Sequence, residues 1–274
     1  MKKPLLNEWL FYICDMSMQA IGIFDSGIGG TSIFKEISTL LPHENTIYLA
    51  DSKNAPYGNK SKDEIIALSI KNTELLLEKN CKLIVVACNT ATTNAIKILR
   101  ETYNVPFIGI EPAIKPAALN TQTKAIGILA TKGTLSSELF HNTTDLYTHG
   151  ITVFEQIGEG IVQLIEKGKT NSDNMRSLLD HYLKPMLEAD IDYLVLGCTH
   201  YPYLIPLLAE MLPRNIKIID SGLAVARQTK AVLRQHELLN IRSQNTDNVF
   251  YSNGNITVLK TILEDKFTVK GLNF

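Results

Sequence analysis

Apolar runs of three to seven residues recur along the chain, and most of them lead into a polar or glycine-rich turn. After several of these turns comes a segment with apolar residues three and four positions apart. The runs lie near residues 20–24, 46–50, 83–87, 105–110, 124–130, 151–154, 192–197, 216–219 and 249–251. The helical segments fall near residues 61–79, 135–140, 159–167, 175–189, 223–238 and 256–267. A run such as Leu83 to Ala87, apolar throughout and rich in β-branched residues, reads as a strand buried on both faces, which is the signature of a parallel sheet covered by helices. The pattern predicts an α/β fold.

At 274 residues the chain is long enough for two such units. The first unit takes in the strands up to residue 113, and the second opens with the segment from Ala113. Residues 1–17 stand apart. Lys2 and Lys3 precede a short apolar stretch that Glu8 and Asp15 interrupt, too short for the core of an export signal. They read as an appendage to a fold that begins near Met18.

Composition changes the picture mainly by exclusion. With 45% hydrophobic and 20% charged residues the chain reads as a soluble globular protein, and a net charge of −1 offers no basic field for nucleic acid. No apolar run is long enough to cross a bilayer. The four cysteines, Cys14, Cys81, Cys88 and Cys198, show no close pairing. That argues against a zinc ribbon or a disulfide framework and for free thiols in a reducing cytoplasm.

Two of those cysteines share one setting. Cys88 ends an apolar strand and is followed by Asn89 and Thr90, which read as helix caps. Cys198 ends another and is followed by Thr199 and His200. A thiol at the carboxyl end of a strand sits where open α/β sheets bind ligands, and the amides of a following helix favour a thiolate. If the two units face each other, the thiols lie on opposite sides of one cleft. Paired bases suit a reaction that removes a proton from one face of a carbon and returns one to the other. His200, with an ordinary pKa near working pH, is placed to serve Cys198, and Asp25 to serve Cys88.

The remaining turns supply polar groups. Asp25-Ser26-Gly27-Ile28-Gly29-Gly30 follows the first strand, and its glycines let backbone amides approach a ligand. Their spacing fits neither a dinucleotide fingerprint nor a phosphate loop. Thr131 and Thr134 stand at a turn as carboxylate binders or caps. Glu166 ends a helix and by itself reads as a solvated side chain.

Together, Gly22-Ile23-Phe24-Asp25-Ser26-Gly27, Ala50-Asp51 with Pro56-Tyr57-Gly58, Ala87-Cys88-Asn89-Thr90-Ala91 and Gly197-Cys198-Thr199-His200-Tyr201-Pro202 resemble the motifs of the glutamate racemases, in the aspartate/glutamate racemase superfamily. The resemblance covers roughly residues 18–267. It implies two pseudo-symmetric α/β lobes with mainly parallel sheets and the active site between them. Residues 18–113 with 224–274 would form one lobe, and 114–223 the other. It implies a homodimer in the cytoplasm, acting on glutamate without cofactor or metal and supplying D-glutamate for the cell wall. Carried over by position, Cys88, Cys198, Asp25, His200 and Glu166 would be catalytic. Asp25, Ser26, Tyr57, Gly58, Asn89, Thr90, Thr131, Thr199 and His200 would bind substrate. Many relatives have Cys-Pro before the helix of Glu166. This chain reads Glu155-Gln156-Ile157-Gly158-Glu159 there, which leaves that helix's geometry open.

Overall fold

A computed structural model describes residues 16–242 and 246–274. Most of the expected N-terminal appendage lies outside them. Two sheets organise the molecule, and every strand pairing in both is parallel. The first has six strands in the order β10-β9-β2-β1-β3-β4: β1 (Ile21–Asp25), β2 (Thr46–Ala50), β3 (Leu83–Val86), β4 (Phe107–Gly109), β9 (Asn248–Ser252) and β10 (Thr268–Gly271). The second has four in the order β6-β5-β7-β8: β5 (Ala125–Ala130), β6 (Thr152–Ile157), β7 (Tyr193–Gly197) and β8 (Lys217–Ile219).

Every residue of β1, β3, β5 and β7 is buried, as their apolar runs predict. The strand order of both sheets reverses beside these central strands: β1 is flanked by β2 and β3, and β5 by β6 and β7. Carboxyl ends at such switch points are where open sheets hold ligands.

The helices cover the sheets. They are α1 (Thr31–Leu40), α2 (Lys62–Glu78), α3 (Asn89–Thr102), α4 (Ile114–Asn120), α5 (Lys132–Leu135), α6 (Glu138–Tyr147), α7 (Ile161–Glu166), α8 (Asp173–Glu188), α9 (Ile205–Met211), α10 (Gly222–Gln235) and α11 (Ile256–Ile262). Ser61 starts α2 with a full capping box closed by Glu64, an arrangement worth about 1 kcal/mol. The chain returns from the second sheet to the first through α10, which packs along α1. One apolar cluster runs from Ile23, Phe34 and Phe250 through Val225 to Ile161, Leu179 and Leu196, so both sheets share a continuous core.

Four local expectations are corrected. Asn89 and Thr90 do not cap α3; they form its first turn, and the capping acceptor is the Cys88 sulfur, which receives the Ala91 amide at 3.5 Å. The helix expected at residues 135–140 is divided: α5 ends at Leu135, and Ser137 caps a new helix by accepting the Phe140 amide. The strand expected over 105–110 narrows to Phe107–Gly109. The last helix stops at Ile262, where Glu264 and Asp265 adopt positive φ and turn the chain into the edge strand β10.

Candidate active site

Cys88 closes β3 and Cys198 closes β7, the central strands of opposite sheets. Both line one small cavity with Ser26, Pro56, Tyr57, Gly58, Asn89, Thr90, Thr131, Val162, Thr199 and His200. The cavity measures about 10 Å³, room for about one water molecule. Beside it lies a larger space of about 380 Å³, sharing Pro56, Gly58, Thr131 and Val162 as a common wall. The small cavity as it stands does not hold an amino acid.

The two thiols are almost equally buried, at 4% and 7% exposure, but their companions differ. Cys88 donates to the Ser26 hydroxyl at 3.6 Å and accepts the Ala91 amide. Burial pushes its thiol well above the ordinary range, and the nearby Asp25 adds to the rise. The amide and Ser26 only partly oppose it, so Cys88 rests as a neutral thiol.

Cys198 instead faces a histidine. His200 Nδ1 stands 3.8 Å from its sulfur, while Nε2 lies 2.6 Å from Glu166 Oε1. The carboxylate fixes a proton on Nε2 and leaves Nδ1 to exchange one with the sulfur. Burial disfavours charge on His200, but its bonds to Cys198 and Glu166 outweigh that and raise its pKa well above the ordinary value. The imidazole is thus placed to take up or return a proton at the Cys198 sulfur.

Glu166 is held from three directions. Besides His200, its carboxylate accepts the Ile28 amide at 2.7 Å and the Ser52 hydroxyl at 3.2 Å, both from elements of the first sheet. The altered loop before α7 thus leaves Glu166 in contact with His200. The glycine turn accounts for the approach: a Cβ on Gly27 would lie 1.9 Å from Glu166 Oε1, and one on Gly29 2.2 Å from His200 Nδ1. These glycines make room for the second sheet's dyad, a use that their expected role as ligand-binding amides does not include.

Asp25 lies behind the cavity wall. Its carboxylate accepts the amides of Gly27 and Gly30 and the Thr199 hydroxyl at 3.2 Å, tying the first thiol's side of the cleft to the second's. Burial raises its pKa, opposed by the His200 charge and the Gly30 amide.

The structure brings every expected substrate-binding residue to this cavity or immediately behind it. Two are arranged in unexpected ways. Tyr57 turns its hydroxyl away, donating to Asp51 at 2.5 Å and accepting from Asn72 at 3.1 Å, so the ring and backbone face the cleft. Thr131 does not cap its helix; its hydroxyl joins those of Thr90, at 2.8 Å, and Thr134, at 3.0 Å. Asn89 carries the clearest sign of a ligand site. Both polar atoms of its side chain are buried without a hydrogen-bond partner, which is costly unless a ligand completes them. Sequence reasoning missed Asp51, Asn72 and Val162. Asp51 and Asn72 hold Tyr57 from behind, and Val162 is an apolar residue with no chemical signature.

Two buried thiols, one beside Ser26 and one beside His200, line one cavity at the strand ends of two doubly wound parallel sheets, a layout suited to paired acid/base chemistry. The chain belongs to the Asp/Glu/Hydantoin racemase family, whose pattern it matches over residues 21–229, and it is an amino-acid racemase. A glutamate racemase of Herpetosiphon aurantiacus is 47% identical over 82% of this chain and 89% of its own. One from Ectopseudomonas mendocina is 43% identical over 91% and 95%. Among solved structures, the Escherichia coli glutamate racemase in complex with L-glutamate and the activator UDP-MurNAc-ala superposes with a TM-score of 0.82, at 33% identity over 93% of this chain and 98% of that one. The Francisella tularensis glutamate racemase in complex with D-glutamate gives 0.81 at 28% identity, over the same shares. Among the described residues no helix is long and apolar enough to cross a membrane, and no group of side chains is arranged to hold a metal ion.

Proposed function

We propose that this chain interconverts L- and D-glutamate, with Cys88 and Cys198 as the two proton-transfer groups, and so supplies D-glutamate for peptidoglycan. The observation that carries the reading is the pair of thiols, from separate sheets, lining one cavity beside the unpartnered amide of Asn89. The glutamate racemases similar to this chain over most of its length support the choice of substrate.

The Cys198 thiolate, its charge offset by His200, takes the α-proton from one face of glutamate. The electron pair of the broken C–H bond stays on the α-carbon and its carboxylate. Asn89, Thr199 and Ser26, with the amides of the two thiol turns, stabilise that charge as it develops. The Cys88 thiol then gives its proton to the opposite face. The product is the other enantiomer, with the charge now on Cys88, and the reverse reaction runs through the same steps with the thiols exchanged. Closure of the cavity around the bound substrate would exclude water from the carbanion-like state and strengthen each contact to it. Glu166 orients His200, and Asp25 keeps negative charge near Cys88, favouring its protonated form.

The substrate's distal carboxylate is assigned to Thr90, Thr131 and the backbone of Tyr57 and Gly58. No cofactor or metal takes part. The division of the strands between two sheets supports lobes of residues 18–113 with 224–274 and of residues 114–223. The buried free thiols support a reducing cytoplasm, and a homodimer follows from the resemblance alone. Circular dichroism with purified protein, glutamate or aspartate, and no added cofactor tests the reading, with deuterium incorporation at Cα in heavy water as a second readout. Racemisation and labelling of glutamate are expected. No label in glutamate, or faster turnover of aspartate, would overturn the proposal.

A further inference from the structure

Asn94 lies one helical turn beyond Thr90 on α3, outside the cavity wall. Its side-chain amide donates to the Thr90 carbonyl at 2.8 Å and to the Gly133 carbonyl at 3.0 Å. Gly133 belongs to the short segment of the second sheet's lobe that carries Thr131 and Thr134. This corner is packed backbone against side chain: a Cβ on Gly133 would meet the Thr90 methyl at 2.8 Å and the Gly58 Cα at 3.2 Å.

Three hydroxyls also join here, Thr90 to Thr131 at 2.8 Å, Thr90 to Thr134 at 3.3 Å and Thr131 to Thr134 at 3.0 Å. Each hydroxyl has one hydrogen to give. A carboxylate is acceptor-only, so when one arrives Thr90 and Thr131 must turn their hydrogens from each other to the ligand. The Thr90–Thr131 bond across this corner is then spent on substrate, and of the three hydroxyls only that of Thr134 can still donate across the junction. Among the described residues, the Asn94–Gly133 bond is the only one joining α3 to residues 131–135 without using a threonine hydroxyl.

We propose that Asn94 is a positioning residue, a latch that keeps Thr90 and Thr131 in register across the lobe junction while both hydroxyls bind the distal carboxylate. The proposal rests on the glutamate reading above. It assigns Asn94 to substrate affinity and leaves proton transfer to the thiols.

Asn94→Leu keeps the size and removes both donors. The expected result is a KM for glutamate raised about tenfold, the scale of losing one or two hydrogen bonds, with kcat within about twofold. Asn94→Gln, which keeps the amide on a longer arm, recovers part of the affinity. Thr131→Val raises KM by itself, and the double variant Asn94→Leu with Thr131→Val raises it by less than the product of the single effects, because only Thr90 is left to position. An unchanged KM in Asn94→Leu, a fall confined to kcat, or a double variant showing the product of the single effects would each overturn the latch. A wild-type protein inactive on glutamate would overturn the substrate reading, and the latch with it.

Discussion

The turn at Cys88 and the turn at Cys198 are alike in sequence and in place, each a thiol at the end of a central strand, yet they differ chemically. Around Cys88 stand a hydroxyl, one helix amide and a nearby carboxylate; burial and the carboxylate outweigh the other two and leave the thiol protonated. Around Cys198 stand His200 and, behind it, Glu166, which can take up the proton. A reaction between enantiomers gains no free energy in either direction, so kcat/KM is equal from both sides whatever the site looks like. The asymmetry of the turns therefore belongs to the resting enzyme. Under the proposed mechanism it rests with an acid on one wall and a base on the other, ready for one enantiomer, and each turnover reverses that state.

The comparison breaks most severely when either thiol is removed. Cys88→Ala and Cys198→Ala are each expected to lower racemisation by about 10⁴-fold, the upper range for losing a general acid or base. Activity near the wild-type level in either variant, measured by circular dichroism, would show that one thiol suffices.

Glu166→Gln acts mainly through His200 on the Cys198 side and is expected to lower kcat about 10²-fold. It also lowers the His200 pKa, so the imidazolium is lost at lower pH and the alkaline limb of the rate profile moves down. Stability carries the same sign. A group whose pKa is raised by folding stabilises the protein fully below its unfolded value, about 6.5 for histidine, and loses that contribution as pH climbs through the raised value. Thermal midpoints measured from pH 6 to 9 should show the wild-type advantage over Glu166→Gln largest at the acid end.

The smallest effect belongs to the other wall. Ser26→Ala removes the hydroxyl that lowers the Cys88 pKa and is expected to slow turnover about fivefold, the scale of one hydrogen bond. Steady-state kinetics with each enantiomer in turn would then place that change in kcat and leave the ratio of the two kcat/KM values at one.

The strands and both thiol turns could be read from the sequence because they depend on local pattern: an apolar run, then a cysteine, then polar residues. The edge strand β10 could not, because Thr268–Gly271 is largely exposed and follows a helical pattern without a break that composition reveals. Ser137 is an ordinary cap residue, but Leu135, Leu139 and Phe140 on either side of it fall at helical spacing and hide the break. The contact of Glu166 with His200, Ile28 and Ser52 joins residues far apart in sequence, so only the family resemblance could raise it above a solvated glutamate. The same holds for Gly27 and Gly29, whose missing side chains are explained by groups from another sheet.

Because the sulfur of Cys88 is also the cap of α3, chemical labelling of that residue is not a local event. An alkyl group would crowd the sulfur and weaken its hold on the Ala91 amide, loosening the first turn of the helix that carries Asn89, Thr90 and Asn94. A covalent inhibitor aimed at this thiol would block proton transfer and also unsettle the side chains that recognise the substrate.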